Sequence, residues 1–169
     1  VSDPVDPLCK AALLSSNGQL HSDQIKGYGL GVMNARAIYY ANKDPRFAMF
    51  MKEGRAFGPH GQDLIIANSI EHYDHELSIE LTELAIHANL RVRELGYKPY
   101  VAPAISSAAL SILKTIRGEW HYSSNYLGGV YFGSYNRTTQ TGVEWENLLL
   151  PEQLFVRIQN AYSNLEAIL

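Results

Sequence analysis

Between Trp120 and Trp145, Tyr, Val, Phe and Thr alternate with Gly-rich turns, a period-two pattern that predicts three short antiparallel strands. Antiparallel strands close with tight turns, whereas a parallel sheet needs a crossover of a dozen or more residues between partners. The rest of the chain must therefore be fitted around an antiparallel core.

Helical patterns surround that stretch. Asp6-Pro7 reads as an N-cap followed by a first-turn proline, and Leu8, Ala11, Ala12 and Leu13 predict a helix over Pro7–Ser15, stopped by Asn17-Gly18. A second helix, about 32–42, carries Ala35, Ile38 and Tyr39 at helical spacing and ends before Asp44-Pro45. From Phe47 to Ile66 the pattern reads as extended, with Met49 and Met51 at core or sheet positions. Turn chemistry at Gly58-Pro59-His60-Gly61 places His60 on a tight loop between strands. Asp74 caps a long amphipathic helix to Leu95, with Leu77, Leu81 and Leu84 on its apolar side. An extended segment over Tyr97–Val101 leads to a helix from Pro103 to Gly118 that is apolar nearly all round and is expected to be buried. Pro151-Glu152 opens a final helix. Helices mixed with antiparallel strands, without strict alternation, define an α+β fold.

At 169 residues and 46% apolar, the chain suits one domain spanning 1–169. A net charge of -3 without a dense Lys/Arg stripe favours neither nucleic acid nor an anionic membrane as partner. Cys9 is the sole cysteine, and no signal peptide or bilayer-length apolar run is present, so a reducing cytoplasm is expected. The first residue is Val1, which reads as a processed protein or one cut at a domain boundary.

Three positions carry candidate chemistry. Met33 and Arg36 lie three apart on the second helix and share a face. A guanidinium such as that of Arg36 holds a carboxylate with two parallel hydrogen bonds, fixing its orientation. An imidazole such as that of His60 exchanges protons near neutral pH. Taken singly, an arginine on a helix is also an ordinary solvated residue, and a histidine among glycines an ordinary turn residue. His72 and His75, with Asp74 and Glu76, offer a weak metal-ligand spacing that reads better as a solvated helix start. Ser106 and Ser107 have no evident base, and Gly27-Tyr28-Gly29-Leu30-Gly31 lacks the third glycine of a dinucleotide fingerprint.

The order and spacing of several runs resemble the catalytic half of the lactate/malate dehydrogenase family. Val1-Ser2-Asp3-Pro4-Val5-Asp6 resembles its V-x-N-P-V-D run, Asn34-Ala35-Arg36 its D-x-A-R helix, and Gly58-Pro59-His60-Gly61-Gln62-Asp63 its G-E-H-G-D loop. Tyr100–Ile105, Gly129–Gly133, Gly142–Glu144 and Leu150–Glu152 extend the match over nearly the whole chain. The resemblance implies an NAD-dependent 2-hydroxy-acid dehydrogenase and an α+β domain of that family's C-terminal type. It implies Arg36 as clamp for the substrate carboxylate, His60 as acid/base, Val101 lining the substrate pocket and Ile105 against the nicotinamide. It further implies an N-terminal nucleotide-binding domain, carrying the main specificity loop and absent from this chain, and assembly as a homo-oligomer.

Two departures bear on function. Where the family carries the aspartate that pairs with its histidine, this chain has Met33, and a thioether neither fixes a tautomer nor stabilises an imidazolium. Asp3 stands where the family has a neutral asparagine beside the reacting oxygen, and could itself serve as a partner for His60. Tyr135–Gln140 is polar where the family has an apolar strand, and Gln62 reads as an insertion in the loop. These departures keep open a second expectation, a non-catalytic ligand-binding or assembly domain of the same fold.

Overall fold

A computed structural model describes residues 4–97 and 101–168, with 101–105 and 107 placed as helical backbone only. Its helices are α1 (Val5–Ser15), α2 (Leu30–Ala41), α3 (Phe50–Glu53), α4 (His75–Glu94), α5 (Val101–Arg117) and α6 (Glu152–Glu166). Its strands are β1 (Arg55–Phe57), β2 (Ile65–Ala67), β3 (His121–Leu127), β4 (Val130–Thr139) and β5 (Gly142–Trp145).

The three predicted strands form a β3-β4-β5 antiparallel sheet, with His121 opposite Asn136, Leu127 opposite Val130, and Thr139 opposite Gly142. β1 and β2 form a separate antiparallel hairpin in which Arg55 faces Ala67 and Phe57 faces Ile65. That hairpin divides two cores. Ala56 and Ile66 turn towards Leu30, Ala37, Phe47 and Leu81 from the α2 and α4 side. Phe57, Ile65 and Ala67 turn towards Phe132, Leu154 and Leu165, seating α6. Each such large apolar side chain contributes about 1.5–3 kcal/mol by leaving water. A smaller cluster of Val5, Cys9 and Tyr131 fixes α1 on β4.

Asp74 caps α4 as expected, its Oδ1 accepting from the Leu77 N–H at 2.9 Å, and Gly96 follows with φ +84°. Three expectations are corrected. The segment before β1 is helical, not extended: Asp44 accepts the Arg46 N–H at 3.0 Å, Pro45 starts a 3-10 turn, and α3 follows. Phe47 and Phe50, three apart, enter the core, leaving Met49 and Met51 exposed. α1 begins at Val5 with Pro4 as its cap, so Asp6 lies inside the first turn and is buried. α5 starts at Val101 and is not buried all round: among its described side chains Ala108 is buried while Leu110 and Ile116 are 68% and 76% exposed. It packs by one side on α2, β3 and β4.

Within the polar run on β4, Asn136 belongs to an internal hydrogen-bond network, while Arg137 pairs with Glu144 of β5. Asn136 is fully buried, donates to the carbonyls of Ser123 and Ser134, and accepts from the Ser123 hydroxyl at 2.8 Å and Asn125 Nδ2 at 3.1 Å. Lys26 Nζ closes it on Asn125 Oδ1 at 2.8 Å, and burial holds this ammonium below the usual lysine range.

Candidate functional site

Gly29 is the N-cap of α2, and Gly29, Met33 and Arg36 fall at i, i+4 and i+7, one stripe of that helix. His60 comes to the head of this stripe from the β1–β2 loop. A Cβ on Gly29 would lie 2.8 Å from His60 Cγ and 3.0 Å from its Cβ and Cδ2, so His60 packs against backbone where an added side chain would force a shift. The loop is brought there by Gly58, whose φ of +85° no L-residue adopts readily and whose N–H donates to the Gly133 carbonyl on β4 at 2.9 Å. Asp63, next to the extra Gln62, also takes a left-handed conformation, with its Oδ2 accepting from Asn164 Nδ2 at 3.0 Å.

The loop's other anchor is Asp6, which the sequence offers as a helix cap and as the end of the Val1–Asp6 run. Asp6 is 0% exposed; its Oδ2 accepts the His60 N–H at 2.9 Å and its Oδ1 the Ser124 hydroxyl at 2.5 Å. Burial pushes this carboxyl above the ordinary aspartate value, opposed by the Ser124 and His60 hydrogen bonds and by the nearby His60 ring. Ser124 is itself locked, exchanging backbone hydrogen bonds with Gly27 at 2.9 and 2.8 Å.

Further along the stripe, Met33 is 4% exposed and its Sδ lies 3.6 Å from Arg36 Nη1, which donates to the Ala85 carbonyl on α4 at 3.1 Å. Arg36 thus bridges α2 to α4, and the shared face expected for Met33 and Arg36 is present. Beyond it, a cleft of about 650 Å³ runs between α2 and the last turns of α4, with Arg36, Lys43 and Arg91 on its walls. A second cleft of about 620 Å³, between α2, α5 and the sheet, is lined by Ile38, Leu110, Lys114 and His121. Among the described residues His60 lines neither cleft. Asp3 lies outside the described residues, and Val101 and Ile105 are described as helix only, so their side chains enter no geometry.

The glycines of 27–31 have structural work: Gly27 pairs with Ser124, Gly29 caps α2 and Gly31 lies within it. Among the described residues both sheets are antiparallel. His72 and His75 engage different partners, Glu53 Oε2 at 3.1 Å and the Tyr73 hydroxyl at 3.2 Å. Glu53 also accepts the Ser69 hydroxyl, and with Glu71 and His72 forms a largely exposed group whose ligand atoms lie within 4.8 Å of one another. No described helix is long and apolar enough to cross a membrane.

These elements compose the α+β fold of the lactate/malate dehydrogenase C-terminal domain. Malate dehydrogenase from Archaeoglobus fulgidus, solved in complex with NADH, aligns over 98% of this chain with a TM-score of 0.73 and 16% identity, and the chain spans 58% of its length. Malate dehydrogenase from Aeropyrum pernix aligns over 99% with a TM-score of 0.72 and 18% identity, and here the chain spans 61%. No protein-family profile and no curated protein matches the sequence.

Proposed function

We propose that this chain is the substrate-binding and catalytic part of a 2-hydroxy-acid dehydrogenase of lactate/malate type. The observation that carries this reading is the single stripe on α2: His60 seated on Gly29 at its head and Arg36 two turns further along. Arg36 holds the substrate carboxylate through paired N–H donors while its Nη1 contact to the Ala85 carbonyl fixes the guanidinium in place. His60, its loop pinned by buried Asp6, gives its proton to the 2-oxo oxygen during reduction and takes it back from the hydroxyl during oxidation. Val101 lines the pocket, Asp3 lies beside the reacting oxygen and Ile105 borders the nicotinamide, roles that rest on the resemblance of their runs.

The hydride comes from NAD(H); a nucleotide-binding domain, which the family resemblance implies, is the partner this reading requires, in keeping with a chain that spans 58% and 61% of the aligned dehydrogenases. The chain by itself is then inactive. Cytoplasmic residence and assembly as a homo-oligomer belong to the same reading.

A second reading, a non-catalytic binding or assembly domain, is favoured by one observation: a thioether, not a carboxylate, sits against Arg36. The two are separated by the Met33→Asp, Asp3→Asn double variant of the complete gene product. A large gain in 2-oxo-acid reduction supports the dehydrogenase; no activity before or after the change supports the binding domain.

A further inference from the structure

The β1–β2 hairpin carries His60 at its tip, and its open end has a chemistry of its own. There Arg55 stands opposite Ala67, with Glu53 at the end of α3 just before β1 and Ser69, Glu71 and His72 just after β2. The Glu53 carbonyl accepts the Ile70 N–H at 3.1 Å, and its carboxylate Oε2 accepts the Ser69 hydroxyl. Ser69 is fully buried, and its oxygen in turn accepts the His72 N–H at 2.8 Å. The turn after β2 is thereby wrapped round the end of α3, and it brings His72 Nδ1 to 3.1 Å from Glu53 Oε2.

Glu71 adds a third donor, and the three ligand atoms lie within 4.8 Å of one another. The spacing of the first two carries the argument. A cation with bonds of about 2.1 Å holds neighbouring ligand atoms about 3.0–3.4 Å apart, in octahedral or tetrahedral shells, so Nδ1 and Oε2 already stand at that separation. Glu71 is exposed and closes on the same point by rotating its own side chain. The Ser69 hydroxyl stands behind the Glu53 carboxylate and fixes its orientation, as hydrogen bonds to metal-ligating carboxylates do. One imidazole nitrogen with two carboxylate oxygens suits a first-row divalent ion such as zinc, whereas calcium takes six or more oxygens. Lys52 bears on the Glu53 charge and opposes the cation, against two carboxylates that favour it. Asp74 and His75, which the sequence groups with His72, are engaged elsewhere, on the Leu77 N–H and the Tyr73 hydroxyl.

We propose that Glu53, Glu71 and His72 form a site for a divalent transition-metal ion of the zinc class, with water completing its shell, and that the bound ion staples the open end of the β1–β2 hairpin. The site is independent of the roles given to Arg36 and His60: the ion sits at the end of the hairpin away from His60 and acts on the order of the hairpin, not on the reaction.

The test is a titration of this chain with Co²⁺, followed by visible absorption, and displacement of the cobalt by Zn²⁺. Saturable binding of one equivalent is expected. Ser69→Ala should weaken it about 10- to 100-fold, the usual effect of losing a group that orients a metal ligand, and His72→Gln and Glu53→Gln should weaken it by at least as much. His75→Gln should leave it unchanged. The His72 side chain is 69% exposed, so the metal-free melting curve of His72→Gln should match that of the parent and separate lost binding from lost folding. Zn²⁺ should also slow amide exchange at Ile70 and His72 in the parent and not in His72→Gln. No saturable binding below about 1 mM would overturn the proposal, as would binding that His72→Gln and Glu53→Gln leave unchanged, the mark of an adventitious ion only. Binding lost in both variants but without slowed exchange would overturn the stapling role.

Discussion

The N–H of His60 donates to the Oδ2 of Asp6 at 2.9 Å, joining a loop residue to a wholly buried carboxyl 54 positions away in sequence. Replacing Asp6 by Ala orphans two donors, the His60 N–H and the Ser124 hydroxyl, each costing about 1–3 kcal/mol. Asp6→Ala should therefore lose a few kcal/mol in a denaturant titration and release the His60 loop to faster amide exchange.

Asp6→Asn isolates the charge from the contact. Because burial raises the carboxyl above its ordinary 3.8, the folded chain holds this proton more tightly than the unfolded chain does. Its contribution to stability is full below pH 3.8 and is lost as pH rises through the folded value. The stability difference between Asp6→Asn and the parent should accordingly favour the variant more at neutral pH than at pH 3.8, read from paired melting curves.

His121 predicts a pH dependence of opposite sign. It is 3% exposed, with Nδ1 donating to the Glu119 carbonyl at 2.9 Å and Nε2 at 2.9 Å from Thr115 Oγ1. Burial, aided by Lys114 and Lys26, holds its imidazole below the usual 6.5, against the pull of the Glu119 carbonyl. The unfolded chain then binds the extra proton first, so this group costs stability as pH falls below 6.5. His121→Gln should flatten that acid limb while costing about 1–3 kcal/mol at neutral pH from the altered hydrogen bonds.

Gly29→Ala tests the seat of the imidazole. The new Cβ would come to 2.8 Å from His60 Cγ, forcing the ring or its loop to shift. An overpacking cost of about 1–3 kcal/mol is expected, together with a changed His60 ring signal in NMR. An unmoved ring would show that it does not lie on Gly29.

Met33→Asp tests the gap that the thioether leaves beside Arg36. A carboxylate placed there falls within reach of Nη1, now 3.6 Å from Sδ. A double-mutant cycle with Arg36→Gln should return a favourable coupling of about 1 kcal/mol or more, within the range found for directly interacting side chains.

How much of this was legible in the chain follows from the range of each interaction. The capped α4, the strands of 121–145 and the start of α6 were legible because their determinants are local: an aspartate three residues before the N–H it caps, a period of two, a proline at a helix entry. α5 was misread because apolar periodicity does not say which face finds a partner; Leu110 and Ile116 found none among the described residues. The short helix at Phe50–Glu53 was missed because Phe47 and Phe50 supply a single apolar repeat, too little to tell a helical turn from a strand. His60 and Arg36 stood out by their motifs; Asp6 ends the Val1–Asp6 run, but its role as anchor of the His60 loop was not legible, since its partners lie 54 and 118 positions away.

The most direct test of the central claim is NADH oxidation by the complete gene product against a panel of 2-oxo acids, with His60→Asn as control. The account predicts turnover that the substitution lowers by about 10²–10⁴-fold, the range of general acid catalysis. Nucleotide binding without turnover of any acid, or turnover indifferent to His60→Asn, would contradict it.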